Sequence, residues 1–172
     1  ALAQAKILAP LVSRRSPLQR AQILSLAGEL GNRALDADFA AKSFREARQA
    51  LTKAKDKEGA GYGEGLAYRQ LSAAPAEATL VKGEGEALEK QEKWKEAVAL
   101  YSRAVENKVG GNHILYAHAK AILKSGGKDS RRSARVSLQK IEQSQDDDVW
   151  KRLAQETLKE IAKEGNDDKR NP

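Results

Sequence analysis

Two stretches of this chain carry small residues at the same intervals. Gly28 is followed twelve residues on by Ala40, and then by Phe44 and Ala47; Gly85 is followed twelve residues on by Ala97, and then by Tyr101 and Ala104. In each stretch the Ala, aromatic and Ala residues fall on one face of a 3.6-residue period. A Gly on the preceding helix, lacking a side chain, admits a paired helix at short range. A chain marked in this way is constrained to close-packed helix hairpins. The stretch Gly85 to Val105 therefore reads as helix, short break, helix.

This layout resembles the tetratricopeptide repeat family, whose repeats are helix–turn–helix units of about 34 residues. Two positions depart from the family pattern: Glu84, where Leu is usual beside the Gly, and Val109, near the usual closing Pro. Gly28 and Gly85 are also too far apart for one period and too close for two. Either an extra helix is inserted between residues 55 and 76 or the pairing changes phase there.

Composition agrees with helices. Of 172 residues, 40% are hydrophobic and only 5% aromatic, and the apolar content is mainly Ala and Leu among many Lys, Glu, Gln and Arg. That mixture favours helix over sheet. One domain is expected over residues 1–164, followed by a polar tail over 165–172. No apolar run approaches the roughly 18 residues needed to cross a bilayer, and no intact signal peptide is evident. The expectation is a soluble protein of the cytoplasm, the periplasm or the secreted space. The chain has neither Cys nor Met, so it reads as a processed product or an excised piece, without disulfide or thiol chemistry.

Local signals place most of the helices. Leu2, Ile7, Leu8, Leu11 and Val12 suit a first helix, with Pro10 as a kink or break. Ser16, Pro17 and Gln19 form an N-cap, first-position Pro and capping-box set. The helix that follows carries Leu18, Ile23, Leu24, Leu26, Ala27 and Leu30, with Gly31-Asn32 as its stop. A helix over about 35–53 follows. Leu66 to Leu71 suits a short helix ending before Pro75. Ala78 to Gln91, Trp94 to Asn107 and His113 to Lys124 are the next three helices. A further helix starts near Asp129 or Ser130, and the last, capped by one of Asp146 to Asp148, carries Val149, Trp150, Leu153, Leu158 and Ile161.

Few residues point to chemistry. The alternating Gly59 to Gly65 segment has neither the Lys-Ser/Thr ending nor the preceding strand of a phosphate loop, so a connector or close packing is expected. His113 and His118 are five residues apart and leave a helix about 140° apart, which prevents joint metal chelation. His118 is expected to be packed or half-buried, and His113 to sit at a groove or turn. The 24 acidic residues alternate with cations, as at Glu84, Glu86, Glu89 and Lys90, in the manner of solvated helix faces. No acid–base pair or Ser-His-acid set is recognisable. The expectations are no enzyme, no metal and no cofactor.

Charge supplies the sharper signal. The net charge is +7, and Lys120, Lys124, Lys128, Arg131, Arg132, Arg135 and Lys140 are opposed by only Asp129 before the acids that follow Ile141. This basic block is read either as a solvated face or as a dock for an acidic peptide or protein. Nucleic acid is less favoured, because no stacking or helix-turn-helix signature accompanies the block.

The resemblance implies an inner surface lined by first-arm residues, here Thr79, Lys82, Glu86 and Glu89, then His113, Tyr116, Lys120 and Lys124. Lys82 stands where some family members grip a peptide carboxylate. Glu86, one turn later, replaces the Asn such a clamp needs, so that clamp is disfavoured. The expected architecture is an all-α solenoid of antiparallel helix pairs with about eight or nine helices. The expected function is a non-catalytic scaffold or adaptor holding a peptide or helix of a partner protein, through Lys82, Glu86, Glu89, His113, Tyr116, Lys120, Lys124, Arg131, Arg132 and Arg135. The alternatives are a structural segment of a larger repeat protein, and a binder of nucleic acid or another anionic surface through the basic block.

Overall fold

The structure is a computed structural model that describes residues 2–12, 15–58, 76–127, 129–145 and 149–167. Gly59 to Gly65, the helix expected near Leu66 to Leu71, Lys128 and Asp146 to Asp148 lie outside the described residues. Among the described residues there are eight helices and no strand: α1 Leu2–Leu11, α2 Pro17–Arg33, α3 Ala37–Glu58, α4 Glu77–Lys90, α5 Trp94–Glu106, α6 Asn112–Ser125, α7 Ser130–Glu142 and α8 Val149–Asp167. They divide into two compact units, Ala1–Glu92 and Lys93–Pro172. The boundary falls inside the Gly85 to Val105 stretch. Within each unit, neighbouring helices pack in chain order, and a helix also touches the next but one: α2 meets α4 and α6 meets α8. This consecutive stacking is helical-repeat packing.

The start of α2 forms as its sequence dictates. The Ser16 hydroxyl accepts from the Gln19 amide at 3.3 Å, the Gln19 side chain accepts from the Ser16 amide at 3.4 Å, and Pro17 occupies the first turn. Two otherwise orphaned donors are satisfied reciprocally. The other end differs from expectation, because Gly31-Asn32 does not stop the helix. Gly31 is buried inside α2, where an added Cβ would lie 3.0 Å from the Ala40 amide nitrogen. Its missing side chain serves the approach of α3.

The stop is made by Leu35, which takes φ 59°. The Leu35 amide donates to Asn32 O at 3.4 Å and the Asp36 amide to Gly31 O at 3.0 Å, the paired bonds of a Schellman ending. Asp36 then opens α3, its carboxylate accepting from the Phe39 amide at 3.1 Å and pairing with Lys6 of α1. Lys108 repeats the left-handed stop after α5 with φ 55°. There the Val109 amide donates to Ala104 O at 2.8 Å, the same type of closing bond.

The core of the first unit is built on Phe44, 2% exposed. A Cβ added at Gly28 of α2 would lie 2.7 Å from the Phe44 ring, and one added at Gly83 of α4 would lie 2.4 Å from it. Two helices thus reach the ring only because both lack a side chain at the contact. Ala40, Ala47, Ala21 and Leu80 are fully or almost fully buried around this seam. Gly28 serves the role expected of it, while Gly83 was not anticipated. Gly85 is buried as well.

The second unit gathers Ala119, Ile122, Ala134, Leu138, Ile141, Ala154 and Ile161 into one cluster, with Leu115, Leu123, Trp150 and Leu158 packed against it. On α5, Ala97, Leu100, Tyr101 and Ala104 are buried, in agreement with the expected small and aromatic positions. The last helix continues through Gly165 to Asp167, beyond the point where the sequence suggests a tail. Among the described residues no helix is long and apolar enough to cross a membrane.

Candidate interaction surface

The residues singled out by charge and by family resemblance fall into three groups. Lys82, Glu86 and Glu89 belong to the first unit, on α4. Lys82 and Glu86 are exposed and stand 3.7 Å apart one turn along the helix, a spacing that contributes a few tenths of a kcal/mol in solvated helices. The Lys82 charge thus has an opposite charge beside it.

Glu84, grouped by sequence with the solvated acids, is the exception and a correction. It is 2% exposed, and its two carboxylate oxygens accept from Arg45 Nε at 3.1 Å and Arg48 Nε at 2.8 Å. Both arginines come from α3. A face that looks solvated along α4 alone is covered once α3 packs on it. Nearby, the Asn32 amide donates to Gly83 O at 3.2 Å and the Lys90 ammonium to Asn32 O at 3.0 Å, so α2 and α4 are tied by polar bonds beside the glycine contacts.

His113 and Tyr116 form the second group. Both lie on α6 and face α8: their rings sit 6.4 Å and 5.6 Å from the Trp150 ring, and the Tyr116 hydroxyl is 3.4 Å from that of Thr157. Tilted ring pairs at these distances stabilise packing. The α8 helix therefore packs against the part of α6 that carries His113 and Tyr116.

The third group is basic. Lys120 and Lys124 are exposed on α6, and Arg131, Arg132 and Arg135 are exposed on α7. The structure brings Lys124 and Arg131 to one cleft of about 430 Å³, lined also by Leu123, Gly127, Ser130, Thr157, Glu160 and Ile161. Arg132 and Arg135 are not part of its lining. Sequence reasoning missed Thr157 and Glu160, since nothing in the order of residues sets α8 opposite the α6–α7 turn.

His118 is half-buried, as expected, but its partners were not foreseen. Its Nε2 lies 2.9 Å from the Ser102 hydroxyl of α5 and its Nδ1 3.1 Å from the Ser137 hydroxyl of α7. Ser102 lies inside α5, where backbone N–H groups are committed to helix bonds. A Ser hydroxyl, not a carboxylate, orients the other ring nitrogen. The trio is read as a polar bridge joining three helices.

Burial and, after it, the nearby Lys140 ammonium hold the His118 pKa below its ordinary 6.5, with Glu106 opposing them. The unfolded chain then binds a proton that the folded chain refuses. Stability from this site is full above pH 6.5 and declines as pH falls from there towards the depressed folded value, where the loss levels off. Urea unfolding of the wild type is expected to show this decline, and His118→Gln to flatten it. Equal pH dependence in both would remove His118 as the cause.

Among the described residues no three His, Cys, Asp or Glu side chains come together as a metal site. Compared with protein-family models, curated proteins and solved structures, the chain matches none.

Proposed function

We propose that this chain is a non-catalytic interaction scaffold, a solenoid of helix pairs like those of tetratricopeptide repeats, that holds a peptide or helix from a partner protein. The observation that carries the reading is the convergence of exposed cations from consecutive helices, Lys124 and Arg131, on a cleft of mixed polar and apolar lining. Stacked helices present their exposed side chains as a continuous surface, and such surfaces commonly receive extended or helical peptides. The shared spacing of Gly28 to Ala47 and Gly85 to Ala104 supports the repeat assignment.

Capture of a binding protein by the wild-type chain, set beside a Lys120→Glu/Lys124→Glu variant, tests the function. Both residues are exposed, and circular dichroism of the variant checks that its helices are kept. Loss of the captured protein is expected. An unchanged capture profile would leave the basic block as solvating charge and remove the scaffold reading from this surface.

A further inference from the structure

We infer that the Ser102–His118–Ser137 bridge is a proton-operated clamp: uptake of a proton by His118 loosens α7 from α6 and leaves α5 in place. The clamp works whatever the surface of the chain binds.

The bridge ties one helix to two others. From α6, His118 reaches the Ser102 hydroxyl of α5 through Nε2 at 2.9 Å and the Ser137 hydroxyl of α7 through Nδ1 at 3.1 Å. The helix period then places a charge beside each serine. Glu106 stands four residues after Ser102 on α5, and Lys140 three residues after Ser137 on α7, so each lies one turn along the same helix face. These two are the charges that act on the ring. The third neighbour, α8, meets α6 at Trp150 and Thr157, neither of which is charged.

A proton changes what the ring asks of each side. The neutral ring has one N–H and one lone pair, so one of the two serine hydroxyls donates to it. The charged ring has two N–H groups and no acceptor, and that hydroxyl hydrogen must turn elsewhere, as to the carbonyl one turn back on its own helix. The new charge is also half-buried, where water solvates it poorly. Parting α7 admits water and separates the imidazolium from the Lys140 ammonium. Parting α5 would give up the Glu106 carboxylate instead. Repulsion on one side and attraction on the other therefore choose α7. Arg131, Arg132 and Arg135 are carried on α7, so the contact that a proton loosens is one that positions the basic block.

Amide hydrogen exchange of the full chain, measured for wild type and His118→Gln at about pH 5 and about pH 7.5, tests the clamp. Pairing the two proteins at each pH cancels the intrinsic pH dependence of exchange. Relative to the variant, α7 amides of the wild type are expected to exchange about threefold or more faster at the lower pH, and α5 amides to change by less than about 1.5-fold. Proton NMR of the ring gives an independent readout, since the chain has two histidines and the variant assigns them. Lys140→Gln should raise the His118 titration midpoint and shrink the acid-induced exchange of α7, while Glu106→Gln should lower the midpoint. Salt at about 0.5 M should reduce both shifts. Lys140 and Glu106 are exposed, so these two variants carry the test if circular dichroism shows that His118→Gln fails to fold.

Equal acid loss of protection in α5 and α7 overturns the clamp, as does α7 protection that follows pH identically in wild type and His118→Gln. A midpoint that ignores both Lys140→Gln and Glu106→Gln overturns it too, because the charges one turn from the serines would then choose neither side.

Discussion

Phe44→Ala is expected to lower the unfolding free energy by about 3–5 kcal/mol, the range for emptying a well-packed aromatic site. Gly83→Ala should cost about 1–3 kcal/mol from the other side of the same contact, by overpacking. The reason is geometric. The Cβ of an alanine at position 83 would stand 2.4 Å from Phe44 Cζ, and one at position 28 would stand 2.9 and 2.7 Å from the ring's Cγ and Cδ2. With the ring 2% exposed, it has little space to retreat.

The two effects should not add. In a Phe44→Ala background the clash is gone, so Gly83→Ala is expected to be neutral or to stabilise, since Ala exceeds Gly in helix propensity by about 1 kcal/mol. A double-mutant cycle by urea denaturation reads this reversal of sign directly. Additive losses would mean that α4 does not press on Phe44. Against a typical total stability of about 5–15 kcal/mol, the loss from Phe44→Ala alone is a large fraction.

The second large effect concerns Glu84, and it depends on which member of the trio is removed. Arg45→Gln/Arg48→Gln leaves a carboxylate whose side chain is 3% exposed without either guanidinium, and about 3–5 kcal/mol of destabilisation is expected from such an uncompensated buried charge. Glu84→Leu should cost far less, within about 1 kcal/mol of neutral. The arginine side chains are 49% and 29% exposed and can be rehydrated, and Leu replaces a costly desolvated ion with apolar packing. Thermal unfolding of the two variants side by side decides the matter. A larger loss in Glu84→Leu than in the double arginine variant would reverse the assignment of where the desolvation cost lies.

The all-helical class, the Ser16-Pro17-Gln19 start of α2 and the burial of Ala40, Phe44, Ala47, Ala97, Tyr101 and Ala104 were determined by the sequence alone. These features rest on interactions within a few residues, such as capping bonds and the 3.6-residue period, and those are written in consecutive order. Leu35 shows where local reading weakens. Gly31-Asn32 looks like a stop, yet α3 needs Gly31 for its own approach, and the left-handed turn passes to a leucine exposed to 81% of its surface.

Only the tertiary structure decided what lies across from each helix. It set Gly83 against Phe44, brought Arg45 and Arg48 of α3 over Glu84, turned His113 and Tyr116 towards Trp150, and closed the Lys124–Arg131 cleft with Thr157 and Glu160 of α8. Each of these joins residues tens of positions apart. Such pairings arise from the packing of whole helix faces, and a face that is polar in its own helix is buried or open according to the neighbour that covers it.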